Sequence, residues 1–158
     1  MKLFITALLF LFLHTSPSPI TTISVKQTGR AVKIIDGDTF DLLTKEKKIL
    51  RIRLYGIDCP ERKQDFYQSA KKALAGYIFN KEVEVSITGR DRNRRMIGMV
   101  FCNAQNINLA MIKDGYAWHY KKYSADTAFA KAEKQARAER KGLWSKSNAI
   151  APWEFRKK

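Results

Sequence analysis

The sequence predicts an α+β fold in which five antiparallel strands form a small barrel with about three helices beside it. Two observations support this prediction. Apolar and polar residues alternate with a period of two in five short segments, and a helix-spaced segment follows the third of them. The chain has 158 residues, of which 45% are hydrophobic, enough for one domain with a substantial core.

The strands are predicted from this alternation and from the turns between them. A turn at Asp36-Gly37-Asp38 joins the first two segments, and a second turn from Gly89 to Asn93 joins the last two. In the third segment, Arg51 and Arg53 share one face, opposite the apolar side chains. The five predicted strands are residues 25–35, 39–43, 48–55, 83–87 and 95–102.

Three helices are predicted from apolar residues at helical spacing, over residues 65–79, 107–114 and 125–141. Gly115 and Gly142 follow the second and third helices, where glycine commonly ends a helix. Three strands, a helix, two strands and two helices is the order of a five-stranded OB-fold-type β-barrel. Such barrels often bind oligonucleotides on one face, but the fold does not dictate the chemistry.

Residues 1–19 are predicted to be a signal peptide, which leaves residues 20–158 as a single domain. Lys2 precedes an apolar run from Leu3 to Leu13, which is too short for a comfortable membrane span. No clear cleavage motif follows this run. We therefore expect export to the periplasm or the medium, with an uncleaved membrane anchor as the alternative.

The excess of basic over acidic residues indicates which kinds of molecule the protein binds. Lys and Arg number 30 against 15 Asp and Glu, a net charge of +15 that attracts polyanions such as nucleic acid, acidic sugars or anionic membranes. His119 is the single histidine of the predicted domain. This excludes catalysis by two imidazoles and argues against a histidine-rich zinc site. Cys59 and Cys102 are expected to be free thiols. Catalysis by carboxylate and arginine side chains is therefore the remaining possibility.

The first candidate motif is Asp36-Gly37-Asp38, where two carboxylates flank a glycine at a strand turn. Both can face one site, and oxygen ligands suit Ca²⁺ or Mg²⁺. An ordinary Asp-Gly hairpin turn is the alternative.

The second motif places Arg53 on a strand and two carboxylates, Asp58 and Glu61, on the loop after it. Pro60 stiffens that loop, so it can hold a metal ligand and a base close together. A surface salt-bridge cluster is the alternative.

The third motif is the turn Asp91-Arg92-Asn93-Arg94-Arg95. Four charges in five residues are usual in a solvated loop. Beside a phosphate site, however, arginines bind phosphate oxygens in a bidentate manner.

Together these motifs resemble the staphylococcal nuclease (thermonuclease) family over roughly residues 25–145. No single one of these motifs is specific for the family, but all of them in this order and at these separations are. The matching runs are Asp36-Gly37-Asp38-Thr39, Arg53-Leu54-Tyr55-Gly56-Ile57-Asp58-Cys59-Pro60-Glu61, Asp91 to Arg95, Asn108-Leu109-Ala110, Gly115-Tyr116-Ala117-Trp118 and Gly142-Leu143-Trp144.

The resemblance implies a secreted, calcium-dependent nuclease that cuts DNA and RNA and leaves 3′-phosphate ends. Asp38 and Asp58 would be the carboxylate ligands of Ca²⁺, with the backbone carbonyl of Cys59 as a further ligand. Asp36 would support them from close by. No obligate protein partner is expected, and the protein is expected to be a monomer.

The resemblance also implies the catalytic roles. Glu61 would act as the general base, or at least orient the attacking water. Arg53 would bind the scissile phosphate, and Arg95 would stabilise the charge that develops in the transition state. Arg94 stands beside Arg95 in a turn that lacks the family's usual Tyr-Gly, so it is a second candidate, although the count back from Gly98 favours Arg95.

Tyr120 and Tyr123 are loosely matched to substrate-contacting tyrosines of the family. They lie among lysines, and such aromatic side chains can stack on unpaired bases. A basic OB-fold module that binds nucleic acid without catalysis is the alternative function.

Overall fold

The computed structural model describes residues 25–157. The predicted signal peptide, residues 1–19, and with it the alternative membrane anchor, lies outside the described residues. Among residues 25–157, no helix combines the length and the apolar character that crossing a membrane requires. The strands are β1 (Val25–Ile34), β2 (Thr39–Thr44), β3 (Ile49–Leu54), β4 (Ile57–Asp58), β5 (Glu82–Arg90), β6 (Met96–Cys102), β7 (Gln105–Asn106) and β8 (Trp118–His119).

Five of these strands close into a barrel in the order β3-β2-β1-β5-β6, and β6 pairs back onto β3. This confirms the α+β class and the OB-type barrel. Four of the pairings are antiparallel, but the closing pair is parallel, with Leu54 opposite Gly98. The expectation that all strands run antiparallel was therefore wrong at this pair, because side-chain alternation carries no information about strand direction.

The three predicted helices are all present, and the tail contains a further short one. Asn106 and Asp126 cap two of the helices by accepting hydrogen bonds from backbone N–H groups of the first turn. The third predicted helix ends at Ala138 rather than at residue 141. The helices are α1 (Tyr67–Ile78), α2 (Ile107–Lys113), α3 (Thr127–Ala138) and α4 (Pro152–Phe155), with a 3-10 helix over Gly142–Ser145.

Gly115 follows α2, and its φ of +74° is in the left-handed region that glycine adopts without strain. A Cβ at this position would also lie 2.3 Å from the Lys141 carbonyl oxygen. The Leu143 N–H donates to the Gly115 carbonyl at 2.8 Å. The glycine therefore joins the end of α2 to the 3-10 helix.

The barrel interior is filled by side chains that are fully or almost fully buried, including Phe40, Leu42 and Ile52. As predicted, Ile52 and Leu54 of β3 point inward, whereas Arg51 and Arg53 lie on the opposite face. This alternation carries Arg53 out of the core and towards the loop that follows β3.

Asn108 fixes the place where the barrel closes. It is fully buried, its carbonyl oxygen accepts from the Val100 N–H at 2.9 Å, and its amide donates to the carbonyls of Tyr55 (2.9 Å) and Gly98 (3.2 Å). One side chain of α2 thus ties the end of β3 to β6, next to the loop that carries Asp58 and Glu61.

Candidate active site

The turn between β1 and β2 brings its aspartates to the loop after β3 because Gly37 has no side chain. A Cβ on Gly37 would lie 2.8 Å from the Cβ atoms of both Cys59 and Ala70. The Asp38 N–H donates to a carboxylate oxygen of Asp36 at 3.0 Å, which fixes the turn. The Asp-Gly-Asp sequence is therefore more than an ordinary hairpin turn.

Arg53 lies between two carboxylates. Its Nη1 is 2.9 Å from Asp38 Oδ2, and its Nη2 is 2.9 Å from Asp58 Oδ1. The Arg53 side chain is only 12% exposed, and the two aspartates are more deeply buried still. The structure thus brings together three of the predicted site residues, in a place where water screens their charges poorly.

Asp58 is held by the two-residue strand β4, which pairs with β8 so that Asp58 faces Trp118 across the ladder. The next residue, Cys59, donates its backbone N–H to Asp38 Oδ2 at 2.9 Å. Cys59 and Cys102 are both buried free thiols, as predicted. Burial raises the pKa of Cys59 well above its usual value, so the thiol stays protonated.

Asp38 and Asp58 contact the buried Arg53 guanidinium, Asp36 lies next to Asp38, and the protonation of these carboxyl groups reflects their crowding. Burial, followed by repulsion from Asp38, raises the pKa of Asp36 to about 7. Burial also raises the pKa of Asp58, and Asp38 adds to the rise. The cluster therefore holds more carboxylate groups than Arg53 can neutralise.

A divalent cation fits this cluster because its donors are hard oxygens with excess negative charge. Within residues 25–157, no three His, Cys, Asp or Glu side chains form a ready metal-binding group. A cation at Asp38 and Asp58 would therefore take two carboxylates from the chain and would need backbone or water oxygens for the rest.

Glu61 lies at the more exposed edge of the site. Its backbone N–H donates to Gln64 Oε1 at 2.9 Å, and its side chain is 38% exposed. Its carboxylate is bound by the guanidinium of Arg156, which also contacts Asp58 Oδ2 at 2.8 Å. Glu61 and Asp58 are thus bridged by one arginine.

Arg95 reaches the cluster through a chain of hydrogen bonds. Its Nη1 donates to Thr39 Oγ1 at 3.2 Å, and that hydroxyl donates to Asp38 Oδ1 at 3.1 Å. Its Nε lies 2.8 Å from Asp91 Oδ2. Slight burial favours a higher pKa for Asp91, but the hydrogen bonds from Arg95 outweigh it and the pKa of Asp91 is lowered.

Arg94 makes no side-chain hydrogen bond or ion pair to the cluster within residues 25–157. Its φ is +63°, its side chain is exposed, and within residues 25–157 only its backbone N–H makes a hydrogen bond, to the Asp91 carbonyl at 3.0 Å. Of the two neighbouring arginines, the structure therefore brings only Arg95 to the cluster.

Tyr120 and Tyr123 lie in an aromatic group beside the cluster. Tyr120 stacks flat on Trp153 of α4, with ring centres 5.1 Å apart, and contacts Tyr123 edge-on at 4.9 Å. Tyr120, Trp153 and Arg156 line a cavity of about 500 Å³, whereas Tyr123 is 59% exposed.

Trp118 and His119 belong to the packing rather than to the exposed surface. Trp118 is buried and packs against Trp144 with ring centres 4.4 Å apart. His119 is buried, with its Nε2 3.2 Å from Ser124 Oγ and its ring edge-on to Phe129. Both indole and imidazole therefore serve mainly as core groups here.

Arg156 is the site residue that sequence reasoning missed. It lies in a basic tail without a recognisable motif, 98 residues from Asp58. The only signal in the sequence was the run Pro152-Trp153-Glu154-Phe155, whose apolar residues indicate packing and therefore place the following arginine on the domain.

A closed OB-type barrel with a buried carboxylate–arginine cluster on a basic domain defines a protein equipped for phosphodiester chemistry. Residues 51–146 match the family model described as staphylococcal nuclease homologue. The chain belongs to the staphylococcal nuclease family. The matched range includes Arg53, Asp58, Glu61 and Arg95, while Asp36 and Asp38 precede it.

Two of the three similar proteins described next carry nuclease names. The chain is 41% identical over 156 residues to an uncharacterized endonuclease of Haemophilus influenzae, a match covering 99% of this chain and 85% of the relative. It is 40% identical over 140 residues to a micrococcal nuclease of Shigella flexneri, covering 82% and 80% of the two chains. It is also 40% identical over 140 residues to protein ParB of Escherichia coli, covering 82% and 78%.

Proposed function

We propose that this phosphodiester hydrolase is a calcium-dependent nuclease that cuts DNA and RNA and leaves 3′-phosphate ends. Family membership and the nuclease names of its relatives make it an enzyme of this class. The observation that carries the finer proposal is the position of Arg53 between the buried carboxylates of Asp38 and Asp58.

Asp38 and Asp58 would hold Ca²⁺, together with the backbone carbonyl of Cys59. A backbone ligand is consistent with a buried, protonated thiol, because the side chain takes no part. The bound ion would polarise the phosphate and offset the negative charge that develops on it. Asp36 would add negative charge next to Asp38 and so favour the cation.

Arg53 and Arg95 would bind the phosphate that is attacked. Arg53 is already fixed by its two carboxylate partners and lies in a poorly hydrated place, where a fixed positive charge acts strongly on a reacting phosphate. Arg95 is half-buried and is oriented by Asp91 and Thr39. Both side chains are therefore positioned before the substrate arrives.

Glu61 would orient the attacking water and accept its proton. Its side chain is more exposed than the two metal-binding aspartates, so water can reach it. The water oxygen would bond to phosphorus as the bond to the 5′ oxygen breaks, and that oxygen would leave as a hydroxyl after taking up a proton. The phosphate would then remain on the 3′ oxygen.

The exposed surroundings support substrate binding. Lys121 and Lys122 line the cavity next to the stacked Tyr120 and Trp153. Unpaired bases stack on such aromatic side chains, while the lysines attract the backbone phosphates. Tyr123 and Arg94 are exposed and could contact the strand farther from the reacting phosphate.

Export is proposed from the predicted signal peptide of residues 1–19, and a monomeric enzyme is the simplest assembly for this site. The rival function is a basic module that binds nucleic acid without cutting it. The buried carboxylates of Asp38 and Asp58 argue against it, because they offset the positive charge of the arginines beside them and so weaken the attraction of this site for a phosphate.

The test is a cleavage assay of purified protein on single- and double-stranded DNA and RNA with Ca²⁺, Mg²⁺, Mn²⁺ or chelator. We expect cleavage with Ca²⁺, none with chelator, and ends that a polymerase extends only after phosphatase treatment. Full activity in chelator would contradict the metal proposal. Ends that are extended without phosphatase would contradict the 3′-phosphate product. Binding without cleavage under every metal would establish the rival function.

A further inference from the structure

The guanidinium of Arg156 binds the carboxylates of Asp58 and Glu61 at the exposed edge of the site. Its Nη2 is 2.8 Å from Asp58 Oδ2, its Nη1 is 3.3 Å from Asp58 Oδ1, and Nη1 also binds Glu61 Oε1. Since Asp58 Oδ1 already accepts from Arg53, both oxygens of the proposed calcium ligand are engaged by arginines.

The short helix α4 places Arg156 there. Trp153 stacks on Tyr120 and meets Trp118 edge-on at 5.5 Å. Gln64 donates to the Ile150 carbonyl at 2.6 Å, while its own carbonyl accepts the Glu61 N–H. The same residue therefore positions the Glu61 loop and the chain that leads into α4.

The Arg156 side chain itself is less confined than the helix that carries it. Helix α4 has four residues, and the Arg156 side chain is 41% exposed. By contrast, Arg53 is 12% exposed and lies on a strand of the barrel. Arg156 is thus the partner of Asp58 that can leave without disturbing the core.

A guanidinium and a divalent cation compete for the same carboxylate, because each needs the oxygen lone pairs and like charges repel. We propose that Arg156 is a built-in competitor of the metal: it occupies Asp58 and Glu61 in the metal-free enzyme and leaves them when the cation binds. This inference rests on the proposed calcium site.

Two consequences follow from this competition. The metal-free enzyme keeps Glu61 bound to Arg156 and therefore unavailable to a water molecule. The enzyme also needs more Ca²⁺ to fill its site than the same carboxylates would need without Arg156, since part of the binding free energy is spent on displacing the arginine.

The test compares Ca²⁺ binding by calorimetry, without nucleic acid, in the full chain and in Arg156→Gln. The control is Lys157→Gln, which removes the same charge from the neighbouring residue, whose partner is Glu154 at 2.9 Å rather than the site. We expect Arg156→Gln to bind Ca²⁺ about fivefold more tightly, as for a partly exposed ion pair, and Lys157→Gln to match the unaltered protein.

Equal affinity in all three proteins would overturn the competition while leaving the calcium site intact. Weaker binding in Arg156→Gln would also overturn it, since Arg156 would then support the cation. Binding by Arg156→Gln alone would support it strongly. Absence of binding in all three would overturn both this inference and the calcium site.

Amide hydrogen exchange gives a second measurement that does not depend on activity. In the unaltered protein, Ca²⁺ should speed exchange in residues 151–157, where the Arg156 N–H donates to the Pro152 carbonyl at 3.0 Å. In Arg156→Gln, exchange there should already be fast without Ca²⁺. A segment that exchanges equally with and without Ca²⁺ in the unaltered protein would contradict displacement.

Discussion

Asp58 has two arginine partners of the same chemistry in different surroundings. Arg53 comes from a barrel strand and is 12% exposed, whereas Arg156 comes from the short helix α4 and is 41% exposed. A half-exposed ion pair contributes about 1 kcal/mol or less to stability, whereas removing one partner of a buried pair costs about 3–5 kcal/mol. The comparison separates a fixed part of the site from a part that can move.

The largest effect is expected where the fixed part is broken. Arg53→Gln should lower kcat/KM about a thousandfold, because it removes a prearranged phosphate contact, and should destabilise the metal-free fold by about 3 kcal/mol. Arg156→Gln should change the free energy of unfolding by only about 1 kcal/mol or less. Urea unfolding in chelator measures the free energy of unfolding of both variants. Equal losses in the two variants would remove the distinction between the fixed and the movable arginine.

A smaller effect is expected in the turn before β6. Arg95→Gln should lower kcat about a hundredfold because it removes one guanidinium from the reacting phosphate. Arg94→Gln is the matched control, and it should stay within about twofold because its side chain is exposed and makes no hydrogen bond or ion pair within residues 25–157. Steady-state kinetics with Ca²⁺ decides between them, and a larger loss in Arg94→Gln would reverse the assignment.

The smallest effect is expected from the ionisation of Asp36, which lies beside Asp38 in the fixed part of the site. Because the pKa of Asp36 rises from 3.8 to about 7 on folding, the folded protein binds a proton that the unfolded chain releases. This contribution to stability is fully present below pH 3.8 and is lost as the pH rises through about 7.

In chelator, the unaltered protein should therefore lose on the order of 2 kcal/mol between about pH 5.5 and pH 8 that Asp36→Asn retains. The asparagine imitates the protonated carboxyl and does not titrate. Urea unfolding of both proteins at the two pH values measures the difference. Parallel pH dependence would show that Asp36 is ionised throughout.

Much of the fixed part could be predicted from the sequence, because its signals are local. Alternation in β3 indicates that Arg53 faces away from Ile52 and Leu54, and the structure agrees. The motif spacing places Asp58 and Glu61 on one loop. The small size of Gly37 explains how the Asp36-Gly37-Asp38 turn meets that loop, although only coordinates reveal the contacting atoms.

The movable part could not be predicted, because it depends on contacts between distant segments. Arg156 and Asp58 are 98 residues apart, and α4 is too short for a helical pattern to register. The β4–β8 pairing consists of two residues on each side and was missed for the same reason. The parallel closure of β3 with β6 likewise follows from the path of the chain and not from any local pattern.

In the proposed mechanism, Glu61 is the base with which this cluster hydrolyses phosphodiester bonds. The most direct measurement is the single-turnover rate and the Kd for single-stranded DNA in Glu61→Gln beside the unaltered protein, with Ca²⁺. We predict a rate lower by about a hundredfold or more, with a Kd within about threefold, because glutamine keeps the shape but cannot accept the proton. An unchanged rate would show that Glu61 is not the base.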